Sequence, residues 1–266
     1  MSGQTRRDFL KGTAIAMGGA AASAFGALGQ ESQLPDMSIA RWAGASPPNR
    51  MEELATKLTE QAIASLGGMS RFVRRGDVVW IKPNIAWNRT PEQAANTNPD
   101  VVATLTRLCL ESGAKTVKVG DHPCNEADQS YPNSGIEAAA RKMGAEIVYI
   151  DENRFKKMAI GGQVLKEWDV YPEIIESDLV INVPVVKQHY IPKVTLCMKN
   201  YMGVVGGNRG QWHQDIATCL CEFTAFMKPR LCVLDAVRIL VAHGPTGGNL
   251  ADVKQMNTVA AGTDIV

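Results

Sequence analysis

The 266-residue sequence has no C-x-x-C pair, no G-x-x-x-x-G-K-[ST] loop, no G-x-G-x-x-G turn and no G-x-S-x-G elbow. Each absence removes a class of chemistry. Without closely spaced cysteines, an iron–sulfur cluster built on local ligands is not expected. Without either glycine-rich loop there is no nucleotide-binding signature, and without the elbow a serine-hydrolase reading is poor. Charge of one sign is missing too: the formal net charge is +1, which gives no electrostatic basis for binding nucleic acid or an anionic membrane surface. The apolar run "TAIAMGGAAASAFGALG" is rich in Gly and Ala and short of the roughly 20 residues that span a bilayer. A stable membrane span is therefore not expected.

What remains is a globular composition, 45% hydrophobic and 21% charged, long enough for one large domain or two small ones. The segment "TRRDFLKG" places Arg6 and Arg7 before Phe9, Leu10 and Lys11, followed by that weakly apolar run. It resembles the twin-arginine export signal. The resemblance implies a signal peptide over residues 1–29, the twin-arginine translocation machinery as a partner, a periplasmic location and a mature chain of residues 30–266. Small-residue cleavage patterns occur at Ala22-Ser23-Ala24 and Ala27-Leu28-Gly29, and both stay open. The six cysteines sit in apolar contexts such as "TLTRLCLESG" and "RLCVLD", and read as core filler rather than a disulfide framework.

Along the mature chain, apolar strands alternate with helices. "MSIARWAG" reads as a first strand, and Met51, Leu54, Ala55, Leu58, Ala62 and Leu66 recur at helical spacing. "GDVVWIKPN" is an apolar strand closed by proline, and "NPDVVATLTRLCLESG" a helix between proline and glycine. "KTVKVGDHP", "AEIVYID", "DLVINVPVV" and "RLCVLDAV" read as further strands. "SGIEAAARKMG", "YPEIIES" and residues 214–227 read as helices, and "MAIGGQVLKEWDV" as a hairpin. This order predicts a single α/β domain, a largely parallel sheet flanked by helices with Rossmann-like layering. The closing "NTVAAGTDIV" reads as a strand and turn cut off before a helix, so the pattern predicts a truncated C-terminus.

In such sheets ligands bind beyond the carboxyl ends of the strands. Lys82 and Asn84 end one strand, Asp121 and His122 a second, Lys187 and His189 a third, and Asp235 a fourth. Just downstream come Lys199, Asn200, Arg209 and His213. Lysines and an arginine suit a small anionic ligand, so Lys82, Asn84, Lys187, Asn200 and Arg209 are candidate ligand-binding residues. The loop "GVVGGNRG" could add backbone N–H groups as an anion nest. His189 and His213, completed by Asp121, are candidate ligands for a divalent zinc, iron or manganese ion. Lys199, His189 and His213 are the candidate catalytic groups, Lys199 as a base or Schiff-base amine.

The motifs "IKPN", "GDHP", "K-x-H…T-x-x-x-K-N-x-x-G", "R-x-x-x-H", "HGPTGG" and "AAGTD" resemble the family catalogued as domain of unknown function 362, from about Val78 onward. Lys187, His189, Thr195, Lys199, Asn200, Gly203, Arg209 and His213 fall on its central motif. Some relatives carry ferredoxin-like modules; this chain has none, so the resemblance implies no iron–sulfur cluster here. The expectation is an exported metal- or anion-binding protein, with a metalloenzyme acting on a small anionic substrate as its catalytic form. The rivals are a periplasmic solute-binding protein without catalysis and an electron-transfer subunit.

Overall fold

The computed structural model describes residues 34–44 and 51–263. The export motif, its cleavage patterns and the last three residues lie outside them. The first half of the chain runs β1 (Met37–Arg41), α1 (Met51–Ser65), β2 (Val78–Pro83), α2 (Pro99–Glu111), β3 (Thr116–Val119), α3 (Ala127–Asn133), α4 (Ile136–Lys142) and β4 (Glu146–Ile147). A hairpin, β5 (Lys156–Ala159) and β6 (Glu167–Val170), leads to α5 (Pro172–Ile175). Then follow β7 (Leu179–Val183), β8 (Val185–His189), β9 (Lys193–Thr195) and α6 (Cys197–Asn200). The chain closes with α7 (Ile216–Met227), β10 (Leu231–Leu240) and β11 (Val253–Gly262).

Nine strands form one sheet in the order β1-β11-β10-β7-β2-β3-β4, with β8 pairing β10 and β9. From β10 through β7, β2 and β3 to β4 every pairing is parallel, while β11 and β1 add an antiparallel edge. The α/β expectation holds. Its physical basis is visible in the central strands, which are apolar on both faces because both faces are covered. Val79 and Ile81 of β2, with Leu179, Ile181 and Val183 of β7, pack into one core with α1 and α2 residues such as Leu58 and Leu105. Trp80 and Val180, one residue out of phase, face a second core with Tyr171, Tyr201, Trp212 and Phe223. Each fully buried side chain of this size contributes about 1.5–3 kcal/mol of transfer free energy, so the period-2 alternation fixes the register of both strands.

Helix α2 is positioned at its start. Asn98 caps it by accepting from the Asp100 N–H, and Pro99 occupies the first turn, where its missing N–H leaves nothing unsatisfied. The Asn98 N–H in turn donates to Asp235 Oδ2 at 2.7 Å.

Several expectations need correction. "DLVINVPVV" is two strands: Pro184 has no N–H to continue the ladder, and its carbonyl accepts from the Asp235 N–H at 2.9 Å. Asp235 does not end its strand, since β10 runs on to Leu240. A helix absent from the sequence reading, α3, occupies "ADQSYPN", with Pro132 near its end. "AEIVYID" supplies only two strand residues, Glu146 and Ile147. The strand expected in "NTVAAG" is present as part of β11, antiparallel to both β10 and β1. Among the described residues no helix is long and apolar enough to cross a membrane.

Candidate functional site

The face of β2 and β7 that carries Trp80 and Val180 turns polar two residues later, at Lys82 and Asn182. Alternation makes these the same side of the sheet. Asn200 of α6 sits over them, its amide donating to Asn182 Oδ1 at 2.8 Å and to the Lys82 carbonyl at 3.1 Å. The Lys82 ammonium is fully buried and engages three acceptors: Asp121 Oδ1 at 2.7 Å, the Pro83 carbonyl at 2.8 Å and Asn200 Oδ1 at 3.0 Å. That matches its three donors. Burial pushes the Lys82 pKa down, opposed by the Asp121 charge. Asp121 Oδ2 accepts from the Ile85 N–H at 2.7 Å. Gly203 lies directly on this pair; a Cβ there would overlap Asp121 Oδ1 and Lys82 Nζ.

Above this floor opens a cavity of about 400 Å³, the size range of small-molecule sites. Lys187 lines it, buried, donating to the Ala95 carbonyl at 2.6 Å and to Asn84 Oδ1 at 3.0 Å. One of its three N–H groups is left over. Burial is the main cause that pushes its pKa down to about 7. Lys199 also lines the cavity and has no hydrogen-bond or ion-pair partner among the described residues. Burial first, and then the Arg209 and Lys82 charges, push it down to about 8.

His189 and His213 face each other across the cavity wall with ring centres 5.8 Å apart. The Ile191 N–H donates to His189 Nδ1 at 3.2 Å, so the hydrogen of the neutral ring sits on Nε2. His213 Nδ1 lies 3.0 Å from the Gly210 carbonyl, which can only accept, so Nδ1 carries the hydrogen and Nε2 a lone pair. Burial pushes His189 down to about 4 and lowers His213 as well. Both rings are neutral at pH 7, one a donor and the other an acceptor toward the cavity.

The structure thus brings all nine sequence-predicted site residues to one cavity, with unequal roles. Lys82, Asn84, Asn200 and Asp121 hold one another. Arg209, expected to grip a ligand, directs its guanidinium at the His122, Met202 and Pro123 carbonyls at 2.8–2.9 Å. The metal set of His189, His213 and Asp121 is not assembled: among the described residues no three His, Cys, Asp or Glu side chains converge as metal ligands. Asp121 is committed to Lys82, and an Nδ1 that accepts a hydrogen bond leaves His189 Nε2 protonated rather than ligating. His122 places its two ring nitrogens on the Val205 carbonyl and Glu152. Asp235 lies outside the cavity, accepting from the Asn98 and Val237 N–H groups, and burial raises it to about 6. In the "GVVGGNRG" loop the Gly206 and Arg209 N–H groups are engaged, donating to the Asp169 and Gly207 carbonyls.

The lining also includes Trp87 and Cys124, which the sequence did not single out, and Thr195, which it placed on the family motif without a role. Trp87 Nε1 and Thr195 Oγ1 are buried polar atoms with no hydrogen-bond partner, and Cys124 Sγ lies 3.6 Å from the Arg209 guanidinium. Their signal was position. Trp87 and Cys124 each follow a strand-end polar residue, Asn84 and Asp121, by three places.

Residues 79–266 match the family described as Domain of unknown function (DUF362). The chain belongs to this family. It is 30% identical over 209 residues to the thylakoid-associated protein sll1697 of Synechocystis sp., covering 75% of this chain and 63% of that protein. The chain therefore spans under two thirds of that relative's length. Among solved structures it is similar to the lactate racemase apoprotein of Thermoanaerobacterium thermosaccharolyticum, with a TM-score of 0.47 at 13% identity over 84% of this chain and 57% of that one. A Thermotoga maritima protein gives a TM-score of 0.33 at 14% identity, covering 75% and 52%.

Proposed function

We propose that this DUF362 chain is an enzyme that binds a small organic anion in the 400 Å³ cavity and moves a proton on it. His213 is the base, and His189 the hydrogen-bond donor opposite. The observation that carries this is the pair of neutral imidazoles in opposite tautomers beneath two lysines with unengaged N–H groups. General acid–base work asks for one group with a lone pair and one with a hydrogen, both in reach of the same substrate. The remaining cavity atoms fit an acceptor-rich ligand: the Lys199 ammonium, the third Lys187 N–H, the Trp87 N–H and the Thr195 hydroxyl can all donate. With Asp121 already opposite Lys82, the charges of Lys187, Lys199 and Arg209 have no carboxylate against them in the lining, which favours a ligand of negative charge.

A divalent metal is not part of this proposal, because the carboxylate of the expected set is engaged and His189 presents a hydrogen. The Arg6-Arg7 motif supports placing the activity outside the cytoplasmic membrane.

The test is proton exchange. Malonate, pyruvate and oxaloacetate are incubated with the protein in D2O, and deuterium at the carbon next to the carboxylate or carbonyl is followed by NMR. Exchange catalysed by wild type and lost in His213→Gln, with anion binding retained by calorimetry, is the expected result. Binding without exchange for every probe would reduce the protein to an anion-capture module. No binding at all would sink the proposal.

A further inference from the structure

We infer that Lys199 is a covalent amine, forming an imine with a carbonyl-bearing organic anion held in this cavity. This rests on the anion-site reading above and goes beyond it by naming a bond and a substrate class.

The cavity contains three lysines, and their surroundings differ in kind. Lys82 engages three acceptors, so its nitrogen has neither a spare lone pair nor a path to a ligand. Lys187 is pinned by the Ala95 carbonyl and Asn84 and presents a single N–H, which suits holding a carboxylate oxygen. Lys199 alone of the three has no hydrogen-bond or ion-pair partner among the described residues. Burial is the main cause that lowers its pKa; the Cys124 thiol opposes this, and the Arg209 and Lys82 charges add to it, with no carboxylate among the charges that bear on it. A lysine desolvated beside other cations is the environment that yields a neutral, nucleophilic amine near neutral pH. Lys199 is half-buried in the cavity wall and unpaired.

The proton-transfer groups stand in the right company. His189 and His213 line the same cavity as Lys199. The reaction balances without an outside reagent. The neutral amine attacks the carbonyl carbon to give a carbinolamine, and the His213 lone pair takes one proton from nitrogen and passes it to the carbinolamine oxygen. A second proton, from solvent, lets that oxygen leave as water with the His189 N–H hydrogen-bonded to it, and the nitrogen keeps one hydrogen as the iminium. The iminium acidifies the adjacent C–H, whose proton the neutral His213 can then remove. The Thr195 hydroxyl and Trp87 N–H, buried without partners, are donors placed for further oxygens of such a ligand.

The test is reductive trapping. Full-length protein is incubated at pH 7.5 with pyruvate and sodium cyanoborohydride, digested and analysed by mass spectrometry. A carboxyethyl adduct on the peptide containing Lys199, at least tenfold above that on exposed Lys57 or Lys228, is expected. Lys199→Arg should lose it and Lys57→Arg, a change at an exposed lysine outside the cavity, should retain it. Malonate, which binds without a carbonyl, should protect Lys199. An adduct no greater than at exposed lysines, or one that persists elsewhere in the cavity in Lys199→Arg, would overturn the inference. Calorimetry with malonate separates the two readings. Malonate binding with no trapped adduct removes the imine and leaves the anion site standing, whereas absence of both removes the site itself.

Discussion

His189 and His213 stand 5.8 Å apart, centre to centre, in opposite tautomers: one backbone N–H and one backbone carbonyl dictate which nitrogen of each keeps its hydrogen. Long-range nitrogen–proton NMR at pH 7 is expected to show His189 protonated at Nε2 and His213 at Nδ1. Identical tautomers would contradict the site chemistry. Because both pKa values are lowered, the acid limb of exchange activity set by His213 should begin only as it gains a proton below its ordinary value of 6.5, while the titrations of Lys187 and Lys199 shape the profile between about pH 7 and 8. A fall already complete at pH 7 would point to a different base.

The Lys82–Asp121 pair gives a stability prediction. Removing one member of a buried, hydrogen-bonded ion pair strands the other charge, at about 3–5 kcal/mol. Lys82→Met should lower the urea midpoint accordingly. Lys82→Met with Asp121→Asn should recover a large part of that loss, since no lone charge remains. Equal midpoints for single and double variants would mean that the ion pair does not organise the floor.

Gly203 is constrained by space rather than by φ, since its added Cβ would overlap the same ion pair. Gly203→Ala is expected to cost about 1–3 kcal/mol, the range for overpacking a filled interior, and to weaken anion binding at least tenfold by moving Asp121. An alanine variant with native stability and affinity would refute the tight contact.

Lys187 predicts a pH slope. Its folded pKa, about 7, lies below the ordinary 10.5, so between these values the unfolded chain binds more protons than the native one. Stability attributable to this residue therefore rises with pH across that window, and is lowest below pH 7, where the buried group is charged. Guanidinium titrations from pH 7 to 10 should show the rise in wild type, and Lys187→Met should flatten it. Parallel curves for the two proteins would place the lysine in a wetter setting than its 2% exposure indicates.

Anion dependence should follow the unengaged donors. Lys187→Met and Lys199→Met are each expected to weaken malonate at least tenfold, because each removes a donor to the cavity. Arg209→Lys should act mainly through stability, as its fork is closed on three carbonyls. Calorimetry and thermal melts on the same samples distinguish the two.

The sequence by itself determined the layering and the place of the site. Continuous apolar strands such as "VVWI", alternating with helices bounded by proline and glycine, can satisfy both sheet faces only by burying them under helices. That arrangement brings the strand ends that carry Lys82, Asp121, Lys187 and His189 into one region. Local chemistry also announced helix α2, between its proline and its glycine, and the β5–β6 hairpin. It did not announce α3, whose proline lies inside the helix, or the break at Pro184, which exists because the freed carbonyl meets the Asp235 N–H.

Only the tertiary structure decided which site residues remain available to a ligand. Asp121 looked like a metal ligand until its partner Lys82 arrived from another strand, and Arg209 like an anion fork until three carbonyls filled it. Lys187 and Lys199 carry the same ammonium in the sequence and differ in the fold, because one meets the Ala95 carbonyl and Asn84 while the other has no side-chain partner among the described residues. Hydrogen-bond partners and desolvation are set by atoms distant in the chain, so residue type and spacing could gather these groups but could not assign their roles.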